Sequence, residues 1–123
     1  MAHILVIDDE LVLLDLISQT LRLEGHTVTA LSDPLAAMDS AGAGKPPVDL
    51  LLTDVNMKPV TGPELVKRLI VAGFTAPVLF MSGYPAFSSV LAGSGSCHAV
   101  IDKPFTIGEL RMVVSRILES HPP

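Results

Sequence analysis

His3-Ile4-Leu5-Val6-Ile7-Asp8-Asp9-Glu10 is the stretch from which the fold can be read. A short apolar run leads directly into three acids. A run of this length bounded by polar residues reads as a strand buried on both faces. The pattern recurs three times. Leu50-Leu51-Leu52-Thr53 leads into Asp54, Val78-Leu79-Phe80-Met81 into Ser82, and Ala99-Val100-Ile101 precedes Lys103. If the strands are parallel, their C-terminal ends share one edge of the sheet. The carboxylates, the hydroxyl and the amine then meet where open α/β folds place their chemistry.

Strand one is read at residues 3–7. Leu14, Ile17 and Leu21 follow at helical spacing and predict a helix over 11–24, with Gly25 placed to end it. Strand two is read at 26–31. Asp33-Pro34 has the form of an N-cap and an N1 proline, opening a short helix to about Ala41. Residues 42–47, rich in Gly and Pro, read as a loop. Strand three is read at 49–53, a second loop at 56–62, and a helix from Pro63 to near Ala72, stopped by Gly73. Strand four is read at 77–81. Phe87, Val90 and Leu91 predict one or two helical turns, and Gly93-Ser94-Gly95-Ser96 breaks them. Strand five is read at 98–101. Thr106-Ile107-Gly108-Glu109 is a capping box, and Leu110, Val114 and Ile117 form the inward stripe of the last helix.

Strands alternating with helices imply βαβ units, and right-handed crossovers put five helices on both faces. The expected architecture is a doubly wound five-stranded parallel sheet of order 2-1-3-4-5, the flavodoxin-like arrangement. Residues 1–123 are read as one domain, long enough to bury roughly two-thirds of the surface of its unfolded chain.

Apolar residues make up 49% of the chain and charged ones 17%, which excludes a disordered segment. The net charge of -5 argues against a nucleic-acid surface. No run approaches the length of a membrane span, and no basic segment precedes an apolar one at the start. The lone Cys97 cannot form an internal disulfide, so the chain is expected in the cytoplasm. His3, His26, His98 and His121 lack metal-ligand spacing.

In the 2-1-3-4-5 order, strands one and three are adjacent and Asp8, Asp9 and Asp54 converge at the switch point between them. Three carboxylates in one pocket repel one another unless a cation neutralises them or their pKa values rise. Mg²⁺ prefers oxygen ligands and binds through one or two carboxylates with waters and phosphate oxygens. A carboxylate is also a nucleophile able to form an aspartyl phosphate. Phosphoryl transfer needs positioning and charge neutralisation more than covalent help, and Ser82 and Lys103 complete a set able to meet the phosphoryl oxygens. Singly, each residue also fits a plainer role: an acidic pair beside a helix start, a turn aspartate, a surface lysine, a loop serine.

Taken together, five segments carry a resemblance to the receiver domain of two-component response regulators over nearly the whole chain. They are Ile4-Leu5-Val6-Ile7-Asp8-Asp9-Glu10, Leu50-Leu51-Leu52-Thr53-Asp54, Met57 with Gly62, Met81-Ser82-Gly83, and Lys103-Pro104-Phe105. The resemblance implies that Asp54 accepts a phosphoryl group from a histidine kinase or a histidine phosphotransfer protein. It implies direct Mg²⁺ ligation by Asp9, Asp54 and the backbone carbonyl of Asn56, with Asp8 acting mainly through a bound water. Lys103 would pair with Asp54 or its phosphoryl group, and Ser82 would move to hydrogen-bond that group. The Lys103-Pro104 peptide is expected to be cis, and Tyr84 sits where the family tunes access of water to the site. The output is expected to be contact with a downstream protein. Met81-Ser82-Gly83-Tyr84-Pro85 and the sequence after it are most similar to receivers attached to hybrid sensor histidine kinases.

Two positions depart from the family. Lys58 stands between Met57 and Pro59, where the family has proline at once, so the family's path for the loop after Asp54 does not carry over to this chain. Val100 occupies the position of the usual aromatic switch residue, and valine cannot act as a rotating ring. The leading alternative is an aspartyl-phosphate phosphohydrolase of the haloacid-dehalogenase type. That enzyme wants a second acid two residues after its nucleophile, where this chain has Asn56. A flavin-binding module would need a phosphate loop where Asp8-Asp9-Glu10 stands.

Overall fold

The computed structural model describes residues 2–42, 47–83 and 99–120. Its elements are β1 (His3–Ile7), α1 (Leu11–Leu23), β2 (Thr27–Leu31), α2 (Pro34–Gly42), β3 (Leu50–Asp54), α3 (Gly62–Val71), β4 (Val78–Ser82), β5 (Ala99–Asp102) and α4 (Ile107–Ser120). The strands form one sheet in the order β2-β1-β3-β4-β5, with every neighbouring pair parallel. This is the flavodoxin-like topology expected from the sequence. Four helices lie among the described residues. The helical turns expected from Phe87 to Leu91 and the Gly93-Ser96 break lie outside them.

The strand runs are apolar at successive positions because they face two cores at once. Ile4 and Val6 of β1, Leu50 and Leu52 of β3, and Leu79 and Met81 of β4 join the core under α1 and α4. Leu5, Ile7, Leu51, Val78 and Phe80 point the other way, into the core with Leu65, Val66 and Leu69 of α3. Leu14, Ile17 and Leu21 of α1 and Leu110, Val114 and Ile117 of α4 are buried, as their spacing predicts. Truncating one of these fully buried leucines to alanine costs about 2–5 kcal/mol.

Helix ends follow the local chemistry. At the end of α1, Gly25 donates to Arg22 O at 3.0 Å and His26 to Leu21 O at 3.2 Å. Gly73 and Phe74 repeat the arrangement after α3, bonding Ile70 O and Leu69 O at 3.0 and 2.9 Å. Both are Schellman closures, and the φ values of +93° and +101° at Gly25 and Gly73 are why glycine stands there. The capping box on α4 is made in both directions, Glu109 N–H to Thr106 Oγ1 at 3.1 Å and Thr106 N–H to Glu109 Oε1 at 3.2 Å. Leu35 N–H bonds Asp33 Oδ1 at 3.0 Å, as an N-cap should.

The strands that carry chemistry run one residue further than the sequence pattern indicates. β3 closes at Asp54, paired with Met81, and β4 closes at Ser82, paired with Asp102. The apolar run ends a residue early because the polar terminal residue is held by the ladder rather than by its own hydrophobicity. Similarly, α3 begins at Gly62, capped by Thr61, rather than at Pro63.

Candidate functional site

The C-terminal edge of the sheet gathers its polar tips around Asp54. Asp8 follows β1 directly and is fully buried, its backbone N–H bonded to Leu31 O at 3.2 Å. Asp54 closes β3 and is 6% exposed, whereas Asp9 is exposed. Lys103 follows β5, and its N–H donates to Ser82 O at 2.7 Å, extending the β4–β5 pairing past the last rung. That bond aims the lysine back over the sheet edge. Its Nζ lies 3.2 Å from Asp54 Oδ1 and 3.5 Å from Asp8 Oδ2. Ser82, at the end of β4, is buried.

Carboxylate oxygens of Asp8, Asp9 and Asp54 all lie within 4.8 Å of one another. One Asp8 oxygen accepts the Glu10 N–H at 2.8 Å. The other, Oδ2, is buried with no hydrogen bond and only the longer ion pair to Lys103. A buried carboxylate oxygen left in that state is costly unless a cation approaches it. An all-oxygen donor set, one member solvent-facing, fits a hard divalent ion such as Mg²⁺. The acidic cluster is therefore compatible with Mg²⁺ binding.

Electrostatics agree with the geometry. Burial pushes the Asp8 carboxyl above its ordinary value, against the Glu10 N–H and Lys103, which both work to lower it; Asp54 adds to the rise. Burial alone would lower Lys103, but the carboxylates of Asp8 and Asp54 outweigh it and hold the ammonium above the usual lysine range. Both partners of this ion pair thus shift upward, because at Asp8 desolvation exceeds what one lysine returns. A crevice of about 340 Å³ opens beside the cluster, lined by Glu10, Leu13, Lys103, Pro104 and Phe105.

Of the other residues singled out in the sequence, Asn56 is exposed at the start of the loop after β3. Val100 is half-buried in β5 and packs against the core that contains Phe80. The Lys103-Pro104 peptide is cis. Tyr84 lies outside the described residues.

The model of the response regulator receiver domain family matches residues 4–115. The chain belongs to the response regulator receiver family. Among relatives, the response regulator protein PmrA of Pseudomonas aeruginosa is 32% identical over 110 residues, 89% of this chain and 49% of that protein. The probable transcriptional regulatory protein TcrX of Mycobacterium tuberculosis is 29% identical over 116 residues, 94% of this chain and 49% of that protein. The chain thus spans about half the length of these relatives. Among solved structures, the receiver domain of the hybrid histidine kinase CckA superposes with a TM-score of 0.80 at 30% identity, covering 94% of this chain and 98% of that one.

The loop after β3 has a defined form in this receiver domain. The Lys58-Pro59 peptide is also cis, Lys58 is exposed, and Met57 and Val60 on either side are buried. Gly62 N–H then donates to Val55 O at 3.0 Å, closing the loop at its neck. Sequence reasoning noticed the inserted Lys58 but not this closure. It also passed over Thr53, whose hydroxyl donates to the peptide oxygen of Asp54 at 3.1 Å. A buried threonine directly before the acid was the available signal. Membership of the receiver family does not favour the phosphohydrolase alternative.

Proposed function

We propose that this domain takes a phosphoryl group from a phosphohistidine onto Asp54 and thereby switches a protein-interaction surface. The donor is a histidine kinase or a histidine phosphotransfer protein. An oxygen of Asp54 attacks phosphorus, the P–N bond breaks, and its electron pair leaves with the imidazole nitrogen. No proton is needed from Asp54, which reacts as the carboxylate. The observation that carries this reading is Lys103 Nζ at 3.2 Å from Asp54 Oδ1, beside the Asp8–Asp9 pair.

Each side chain then has a role. Asp8, Asp9, Asp54 and the backbone carbonyl of Asn56 would hold Mg²⁺, which supplies neutralisation of the charge that builds on the phosphoryl oxygens. Lys103 holds the unmodified Asp54 in place and keeps a positive charge where the phosphoryl group arrives. Ser82 moves to donate a hydrogen bond to that group. The resulting shift is a change in population between two conformations, with a protein partner reading the second. With Val100 at the aromatic position, this output does not use a rotating ring. Tyr84, past Ser82, tunes how readily water reaches the aspartyl phosphate. We place the domain in the cytoplasm, where its phosphodonor would act. No helix among the described residues is long and apolar enough to cross a membrane.

The test is labelling with a small phosphodonor, acetyl phosphate, in Mg²⁺, read by intact mass. One added phosphoryl group in the native chain, absent in Asp54→Asn, is the expected result. Labelling that persists in Asp54→Asn would assign the acceptor elsewhere. Steady release of phosphate from a small phosphomonoester would favour the phosphohydrolase instead.

A further inference from the structure

Gly62 has no conformational reason to be glycine. It opens α3 after an extended Thr61 cap, and the described glycines with positive φ are Gly25 and Gly73. What it provides is space. A Cβ built at Gly62 would stand 2.3 Å from the peptide oxygen of Asp54, 3.2 Å from its carbonyl carbon and 3.2 Å from Val55 Cα. All three are backbone atoms, so no flexible side chain can move aside. The first turn of α3 therefore rests directly on the peptide of the acid at the centre of the site.

The same oxygen is held from a second direction. Thr53 is fully buried and its hydroxyl donates to Asp54 O at 3.1 Å. Immediately beyond, Val55 N–H donates to Met81 O at 3.0 Å and Val55 O accepts from Gly62 N–H at 3.0 Å. The Asp54 peptide is thus bracketed by a hydroxyl, a bare Cα and two backbone hydrogen bonds on the next residue. Displacement of that peptide would move the Asp54 Cα, and the carboxylate it carries, relative to Lys103. Reacting groups need placement to within a fraction of an ångström, and an error near 1 Å costs on the order of 100-fold in rate.

We infer that Gly62 and Thr53 are positioning residues for Asp54, fixing its peptide so that the carboxylate stands at its distance from Lys103. This rests on Asp54 being the phosphoacceptor. Neither residue touches the phosphoryl group. Gly62 acts by close approach and Thr53 by its hydrogen bond, and both act through the Asp54 backbone.

The experiment compares native protein with Gly62→Ala, Thr53→Val and Thr53→Ser, each first shown to melt cooperatively. One readout is the rate of labelling by saturating acetyl phosphate in Mg²⁺, per folded molecule. The other is the side-chain Cε resonance of Lys103 in metal-free protein. Gly62→Ala and Thr53→Val are expected to label ~10-fold more slowly or worse and to shift the Lys103 resonance. Thr53→Ser, which keeps the hydroxyl, is expected to label at close to the native rate. A lower melting temperature with unchanged rate and resonance would mean a structural role only and overturns the inference. If Gly62→Ala does not fold, the threonine pair decides, and equal rates in Thr53→Val and Thr53→Ser overturn it. If the native protein itself takes no label, the phosphoacceptor reading is what fails. The Lys103 resonance then decides the positioning: moved in Thr53→Val but not in Thr53→Ser it stands, unmoved in both it falls.

Discussion

Lys103 Nζ sits 3.2 Å from Asp54 Oδ1, and the contact is set by the main chain as much as by charge. The Lys103 N–H is tied to Ser82 O at 2.7 Å, so the lysine leaves the sheet from a defined point. Replacing it by alanine removes the cation nearest two buried carboxylates. Lys103→Ala is therefore expected to lower the metal-free stability by about 1–2 kcal/mol, less than for a fully buried pair because the lysine is partly solvated. Magnesium binding should survive largely intact, while phosphorylation no longer changes conformation. Urea denaturation with and without Mg²⁺ checks the first part, and chemical-shift comparison of labelled and unlabelled protein checks the second.

Asp8 behaves in the opposite sense. Its folded pKa is raised above the ordinary 3.8, with burial the largest cause. The fold therefore favours the protonated acid. Whatever stability Asp8 contributes is present below its unfolded pKa and is lost as pH rises through the folded value. In chelator, Asp8→Asn is expected to be more stable than the native chain by about 1 kcal/mol at neutral pH, the difference shrinking as pH falls toward 4. The same variant should lose its response to millimolar Mg²⁺. Denaturation at several pH values, with metal removed and restored, reads both.

His26 carries a separate pH dependence at the other end of the sheet. Its Nδ1 accepts the Ala2 N–H at 3.2 Å, and burial is the main cause holding its pKa below the ordinary 6.5. The neutral ring is the folded form. Its contribution is present above the unfolded pKa and is lost as pH falls through the folded one. As pH falls below the ordinary 6.5, native protein should lose stability relative to His26→Asn, which retains an acceptor but does not titrate there. Parallel profiles for the two proteins would reject the role.

The α4 cap offers a check on local structure away from the site. Thr106 Oγ1 accepts the Glu109 N–H at 3.1 Å, and Glu109 returns a bond to the Thr106 N–H. Thr106→Ala is expected to cost about 1 kcal/mol, measured as a shift of the urea midpoint at unchanged slope.

Most of the fold was legible because the buried strands are apolar on both faces. Leu50, Leu51 and Leu52 announce β3 without any partner in view. The last rungs were not legible. Asp54 and Ser82 are strand residues only because Met81 and Asp102 lie opposite them, and a register between distant segments leaves no mark on either one. The convergence of Asp8, Asp9, Asp54 and Lys103 followed from strand order alone, since Asp54 ends a strand and the others come just after one at the same edge of the sheet. The contact of Gly62 with the Asp54 peptide did not, because it depends on how the 55–61 loop closes. Neither did the cis Lys58-Pro59 bond, although Lys58 marked the place.

We propose Asp54 as the phosphoacceptor, served by the surrounding acids and lysine. Intact-mass analysis after incubation with acetyl phosphate and Mg²⁺ tests it most directly. A single added phosphoryl group that depends on the metal and disappears in Asp54→Asn is the expected result. An unmodified native chain under conditions that label another receiver domain, or equal labelling of Asp54→Asn, would contradict it.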